Sequence, residues 1–186
     1  MKRIMDLIFS VILFIVLVPI FIIISIIIKI DSKGPIIFNQ RRIGKNGVEF
    51  LIYKFRTMKV DTPNIATDKF SSAQNYITRT GSFLRKTSLD EIPQLINIIR
   101  GDMSFVGPRP ALYNQYELIK MREEKGINIC MPGITGYAQI NGRDMVADNE
   151  KVKFDEYYAK NQTVYLDIKI VFSTFIKVLL KKDISN

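Results

Sequence analysis

The chain has 186 residues, enough for one domain with a sizeable core or for a domain with an appendage. It is 47% hydrophobic yet carries 27 Lys and Arg against 18 Asp and Glu, so its net +9 points to an anionic partner: nucleic acid, acidic lipid or a phosphorylated substrate. There is no histidine, which removes the commonest general base and zinc ligand and leaves carboxylates, lysine, hydroxyls or a hard metal for any catalysis; the lone Cys130 excludes an internal disulfide and reads as a small buried hydrophobe.

Residues 7–28 carry no charge and are interrupted only by Ser10, Pro19 and Ser25. As a helix this run would measure about 33 Å, enough to cross a hydrocarbon layer of about 30 Å. It is too long for the apolar part of a cleaved signal peptide, and no small-x-small site follows it. Both flanks are basic, with Lys2 and Arg3 before it and Lys29, Lys33, Arg41, Arg42 and Lys45 after it. Because positive charge stays on the cytoplasmic side, each end claims that side. A re-entrant helix over residues 1–30, broken at Pro19 and leaving through the leaflet it entered, satisfies both flanks. A straight span oriented by the heavier C-terminal charge is the alternative.

Residues 36–42 and 48–55 read as strands, joined into a hairpin through Gly44-Lys45-Asn46-Gly47. The polar stretch 59–78 is an irregular loop or a short helix. Helices are expected over 81–86, over 94–100 with Gly101 as the stop signal, over 111–124 with a polar face, and over 153–160. Three glycines and an Asn-Gly pair make 132–143 a loop segment. Residues 165–182 mix apolar residues with Lys169, Lys177, Lys181 and Lys182, which suits a helix lying in the headgroup plane or an ordinary core-facing helix. The fold class is α+β and mostly helical: a membrane helix, then a membrane-surface domain over 31–186 with amphipathic helices and a small β-hairpin.

The stretch KTSLDEIPQL places Asp90 and Glu91 just ahead of Pro93. Ser88 and Glu91 match a capping box, but with Ser88 as N-cap Pro93 would be the fifth helical residue, where its N–H is needed and its ring clashes. The cap therefore falls no earlier than Asp90, and both carboxylates sit at a helix start, among free N–H groups and the positive end of the dipole. They are either ordinary capping residues or a reactive centre, since a carboxylate kept ionised there can serve as a nucleophile or a magnesium ligand. Arg85 lies just upstream. Downstream, the prolines of Gly107-Pro108-Arg109-Pro110 stiffen the backbone around Arg109, pre-organising it for phosphate or for a local carboxylate. The segment PGITGYAQINGR, residues 132–143, offers small residues beside Thr135, Gln139, Asn141 and Arg143.

Taken in order, the proline-containing N-terminal helix, YKFRTM (53–58), SLDEIPQL (88–95), GDMSFVGPRP (101–110), PGITGYAQINGR (132–143), and Tyr157-Tyr158 followed by LDIKI (166–170) resemble the small monotopic phosphoglycosyl transferases of bacterial glycan assembly. The resemblance covers nearly the whole chain and, around ALYNQYEL, is closest to capsule-biosynthesis members. With no domain preceding the apolar helix, it is to the minimal catalytic form. It implies transfer of a sugar-1-phosphate from a UDP-sugar, an N-acetylated amino sugar by the capsule-like features, to polyprenyl (undecaprenyl) phosphate, with release of UMP. By carry-over Asp90 attacks the β-phosphorus, and the covalent phosphosugar–aspartate then passes to the lipid in ping-pong fashion. Glu91, with Asp90, would hold Mg²⁺. Arg85 and Arg109 are the candidate phosphate contacts; Lys54, Arg56, Thr57, Gln139 and Arg143 fall in the matching motifs as substrate-binding candidates. The resemblance also implies membrane lipids and downstream glycosyltransferases as partners, and the cytoplasmic face of the bacterial inner membrane as the location. Serine often precedes the helix proline in this family; Val18 stands there here.

Three rival readings make different demands. A nucleic-acid binder would gather its basic residues with exposed aromatics on one surface, whereas here they are spread along the chain and the apolar ends suit lipid. A non-catalytic membrane adaptor would tolerate loss of Asp90. A membrane-bound phosphohydrolase would transfer to water.

Overall fold

The computed structural model describes residues 2–62, 73–142 and 147–180. The elements run α1 (Lys2–Asp31), β1 (Ile37–Ile43), β2 (Glu49–Phe55), α2 (Arg79–Lys86), α3 (Gln94–Arg100), β3 (Ser104–Val106), β4 (Ala111–Leu112), α4 (Tyr116–Glu124), β5 (Gly133–Thr135), α5 (Tyr137–Asn141), α6 (Asp148–Lys160) and α7 (Val164–Leu179), with short 3₁₀ turns between some of them. The class is the mostly helical α+β fold expected, with a long apolar N-terminal helix and a small sheet.

α1 is one helix through Pro19. A proline removes only one intrahelical bond, and packing on both sides of Pro19 keeps the turns before and after it in one helical element. Asp6, Ser10, Phe14, Leu17, Phe21, Ile24 and Ile28 recur every three or four residues and form the stripe turned towards the body. Phe14 and Leu17 pack with Ile52, Leu95, Ile98 and Met103; Phe21, Ile24 and Ile28 pack with Phe55 and Leu84. Polar ties fix the N-terminal end, where Arg3 donates to the carbonyls of Ile98 and Ile99. Lys2 donates to Val106 O, to the Tyr158 hydroxyl and to Asp167. Most of the rest of α1 is exposed and apolar, with the charged Lys29 and Asp31 at its C-terminal end.

β1 and β2 form the expected hairpin, with Ile37 opposite Phe55 and Ile43 opposite Glu49. β4 adds to the other side of β1, giving the order β2-β1-β4. This corrects the helix expected over 111–124: its first two residues are a strand, and α4 begins only at Tyr116. A polar-faced pattern cannot register two residues recruited by a strand edge. β2 is left at the edge of the sheet, where an unpaired backbone needs cover. Asn97 of α3, fully buried, supplies it by accepting from Tyr53 N at 3.0 Å and donating to Leu51 O at 2.7 Å.

The loop expected over 132–143 is also corrected: Gly133–Thr135 pairs in parallel with β3, and Tyr137–Asn141 is helical. The glycines serve close approach rather than turning. A Cβ on Gly107 would lie 2.0 Å from Met131 O, and one on Gly133 would lie 2.1 Å from Gly107 N. Gly101 ends α3 as expected, at φ 95° with its N–H on Asn97 O and Ile98 O. α6 starts five residues before the expected 153, and α7 matches the expected terminal helix through Leu179, with Lys181 and Lys182 outside the described residues, as are 63–72 of the expected 59–78 loop.

Candidate active site

The carboxylates lie on a single 3₁₀ turn, Leu89–Glu91, between α2 and α3. Ser88 makes no capping bond and sits at φ 56°, an uncommon conformation for a residue other than glycine. The α-helix proper begins at Gln94 after Pro93, so the start lies beyond Asp90 as Pro93 requires. The free-donor expectation is corrected, however: Glu91 N and Ile92 N are bonded to Ser88 O and Leu89 O. What stabilises negative charge here is side chains.

Those side chains arrive from three directions. Lys54, near the end of β2, bonds Glu91 Oε1 at 2.7 Å. Arg109 reaches the same oxygen at 3.2 Å from the stiff segment after β3. Arg85, on α2, donates from Nε to Thr57 Oγ1 at 3.0 Å and lies close enough to Asp90 for each to act on the other's charge. Thr57, buried, thereby orients Arg85 rather than offering itself to a ligand.

The two carboxylates differ sharply. Burial alone would push Glu91 up, but Lys54 and Arg109 override it and hold the carboxyl at about 2. Burial pushes Asp90 up to about 6; Lys54 opposes this, the neighbouring Glu91 charge reinforces it, and Arg85 and Arg109 oppose it more weakly. Asp90 is 8% exposed, and among the described residues it has no ion pair or hydrogen bond. The result is a desolvated carboxylate without a committed partner, ringed by three cations that a phosphate could also use. Adjacent acids driven apart in this way are suited to different tasks.

Not every expected residue belongs to this cluster. Arg56 is turned away: its guanidinium donates to Ser32 O at 2.6 Å, Ser32 Oγ at 2.8 Å and Lys33 O at 3.0 Å, clipping the end of α1 to the sheet. Arg56 lies one residue past the end of β2, so the alternation of the strand no longer governs it, and its bonds to Ser32 and Lys33 set its direction. Gln139 donates to Ile134 O at 2.9 Å and shapes the corner between β5 and α5. Arg143 lies outside the described residues. Sequence reasoning missed the Lys2–Tyr158–Asp167 cluster and the pairing of Arg122 with Asp155. Lys2 and Asp167 stand out as charges on apolar helices, which does not identify their partners, and Arg122 and Asp155, on polar helices, carry no signal at all.

The chain thus combines a long apolar helix, packed on the body along one stripe, with an acid pair ringed by lysine and arginine. The bacterial sugar transferase family model matches residues 1–181, and the chain belongs to that family. It is 38% identical to the UDP-glucose:undecaprenyl-phosphate glucose-1-phosphate transferase of Escherichia coli strain K12, over 98% of this chain and 41% of that protein. It is 37% identical to the exopolysaccharide production protein ExoY of Sinorhizobium fredii, over 97% of this chain and 86% of that protein. It is 42% identical to the galactosyl transferase CpsE of Streptococcus agalactiae, over 79% of this chain and 35% of that protein. The chain thus spans about two fifths of the first relative and most of the second.

Proposed function

We propose that this chain transfers a sugar-1-phosphate from a UDP-sugar to polyprenyl phosphate, releasing UMP, as an early step of capsule or related glycan synthesis. The observation that carries this reading is the buried, unpaired Asp90 carboxylate beside a Glu91 already neutralised by Lys54 and Arg109. Asp90 attacks the β-phosphorus, a phosphorus–oxygen bond to the carboxylate forms, and the bond to the UMP oxygen breaks. The polyprenyl phosphate oxygen then attacks the same phosphorus, leaving the diphosphate-linked sugar and returning Asp90 as a carboxylate. Lys54, Arg85 and Arg109 hold the phosphate charge, and no step requires histidine.

Magnesium fits the residues present. Among the described residues no cluster of three or more acidic, histidine or cysteine side chains exists, which argues against an all-protein cage. Magnesium commonly takes one or two carboxylates and completes its shell with water and substrate phosphates. Lys54 and Arg109 share Oε1 of Glu91, so its second oxygen and Asp90 would hold the ion. The ion would supply neutralisation of the diphosphate and of the departing UMP.

The membrane arrangement we propose is re-entrant, with the body and the active site at the cytoplasmic face. In its support, the body packs along α1 from Lys2 to Ile28, so the two ends of the helix cannot lie on opposite sides of a bilayer without dragging the body through it. The exposed apolar residues of α7, among them Ile168, Val171, Phe172 and Phe175, suit the same surface. Under this reading a tag at residue 1 is accessible from the cytoplasm; access only from the other side would overturn it.

The direct test is UMP release by the protein in detergent with undecaprenyl phosphate and Mg²⁺, over a panel of donors. UDP-linked N-acetylated amino sugars, expected from the capsule-like features, form one arm. UDP-glucose and UDP-galactose, suggested by the relatives' names, form the other. Release that requires lipid phosphate, and that Asp90→Asn and a chelator abolish, is the expected result. Release without lipid phosphate, continuing for many turnovers, would instead indicate hydrolysis.

A further inference from the structure

We propose that Arg122 and Asp155, which lie outside the carboxylate site, are a positioning pair for Arg109. This rests on Arg109 being a phosphate contact of the proposed reaction. Arg122 of α4 uses Nε and Nη2 to bond Asp155 Oδ2 of α6, at 3.0 and 2.6 Å. Its remaining terminal nitrogen, Nη1, donates to the backbone carbonyl of Arg109 at 2.8 Å. Asp155 is buried and Arg122 mostly so, with side-chain exposures of 1% and 12%. Two helices therefore hold the carbonyl of the residue whose guanidinium reaches Glu91.

The rest of the segment shows why this carbonyl matters. Pro108 and Pro110 have no N–H, so at those residues the backbone can be gripped only through its carbonyls. Pro108 O accepts from Gly133 N at 3.0 Å, and Pro110 O accepts from Arg42 Nη1 at 3.0 Å. Gly107 N donates to Thr135 O at 2.9 Å. Behind the segment lies a cavity of about 90 Å³ lined by Pro108, Pro110, Arg122 and Ile127. Close packing on that side is incomplete, so the hydrogen bonds set the position of Arg109. A buried ion pair kept only for stability is often replaceable by apolar residues. This pair spends its third strong donor on one backbone atom of the phosphate-binding segment.

The test is a double-mutant cycle in the full chain: wild type, Arg122→Lys, Arg109→Ala and the double variant. Lysine keeps a charge for Asp155 but cannot span Asp155 and the Arg109 carbonyl with one planar fork. The readouts are kcat and KM for UMP release, UDP affinity by calorimetry, and thermal unfolding. Arg122→Lys is expected to lower kcat/KM about tenfold, within the roughly hundredfold that a displacement of about 1 Å costs, and to weaken UDP binding. In the Arg109→Ala background it should produce no further loss, although its effect on unfolding persists there. An equal fold-loss in both backgrounds would show a merely structural role and overturn the proposal; so would unchanged kinetics and affinity. If Arg122→Lys does not fold, the paired change Arg122→Gln with Asp155→Asn removes both charges together and enters the same cycle. The reading beneath fails separately. If no donor releases UMP, the UDP-affinity cycle still decides the pair, with additivity overturning it. If UMP release needs Asp90 but is indifferent to Arg109→Ala, the pair has nothing to position and the proposal falls while the reaction stands.

Discussion

Asp90 and Asp155 are both buried aspartates near arginine, and burial pushes both carboxyls up from the ordinary range. Their settings are otherwise opposite. Asp155 takes two bonds from one guanidinium, which offsets part of its desolvation on the spot. Asp90 has cations near it but none bonded to it, because Lys54 and Arg109 are spent on Glu91 and Arg85 is held by Thr57. A fold can profit from a satisfied buried charge as an anchor. An unsatisfied one is a standing cost, tolerated where a ligand or a reaction uses it.

The largest expected effect breaks that contrast at the reactive end. Asp90→Asn should lower UMP release about ten-thousandfold or more, as loss of a covalent nucleophile does. It should also raise the unfolding temperature above pH 6. With its folded pKa raised to about 6 from the ordinary 3.8, Asp90 makes the fold bind a proton more tightly than the unfolded chain does. Native stability therefore rises as pH falls from above 6 towards 3.8, and the ionised form costs at most about 3 kcal/mol at higher pH. Asparagine removes that cost, so its advantage should disappear in acid. An Asp90→Asn variant that is active, or less stable at pH 8, would remove Asp90 from its assigned place.

Next comes Glu91→Gln, which leaves Lys54 and Arg109 facing a neutral amide. Activity should fall about a hundredfold or more, and stability by about 2 kcal/mol, since a partly buried pair loses its anion. Steady-state kinetics and urea unfolding measure the two losses. A smaller effect should follow from pH alone. Under the proposed mechanism Asp90 attacks in its ionised form, so kcat/KM should drop roughly tenfold per unit below about pH 6, while Glu91, held at about 2, stays charged throughout. A flat profile down to pH 4.5 would show that Asp90 does not titrate near 6 in the working enzyme, as a bound cation beside it would also bring about.

The smallest loss of activity is expected at the structural end. Asp155→Asn strands a buried Arg122, and urea unfolding should show a loss of about 3 kcal/mol. Activity in the cold, where the variant is folded, should fall by about tenfold or less, through looser placement of Arg109. If Asp155→Asn instead silenced the enzyme as completely as Asp90→Asn, the distinction between anchored and uncommitted carboxylates would be wrong.

Much of this contrast was legible in advance at one end and invisible at the other. Pro93 dictated that Asp90 and Glu91 fall at the helix start, because a proline costs a helix nothing only in the first turn. A helix as short as α3 lacks the packing on both sides that carries α1 through Pro19. The identity of the cations around them was legible in part. Lys54, Arg85 and Arg109 gather around the two carboxylates, whereas Arg56, in the same motif as Lys54, points to α1 instead. The short strands β3, β4 and β5 were unreadable because two or three residues carry no period, and glycines placed for close approach look the same as glycines placed for turning.

By itself, then, the sequence determined what depends on neighbours in the chain. That includes the apolar run of α1, the hairpin, the helix stop at Gly101, and the placing of two carboxylates on a turn ahead of Pro93. Only the tertiary structure decided what depends on distance in space. It gave Glu91 both cations, left Asp90 buried without a bonded partner, and drew Arg122 of α4 and Asp155 of α6 onto the Arg109 carbonyl. The physical reason is that a side chain's charge is written in the sequence, but its desolvation and its partner exist only once distant segments have packed around it.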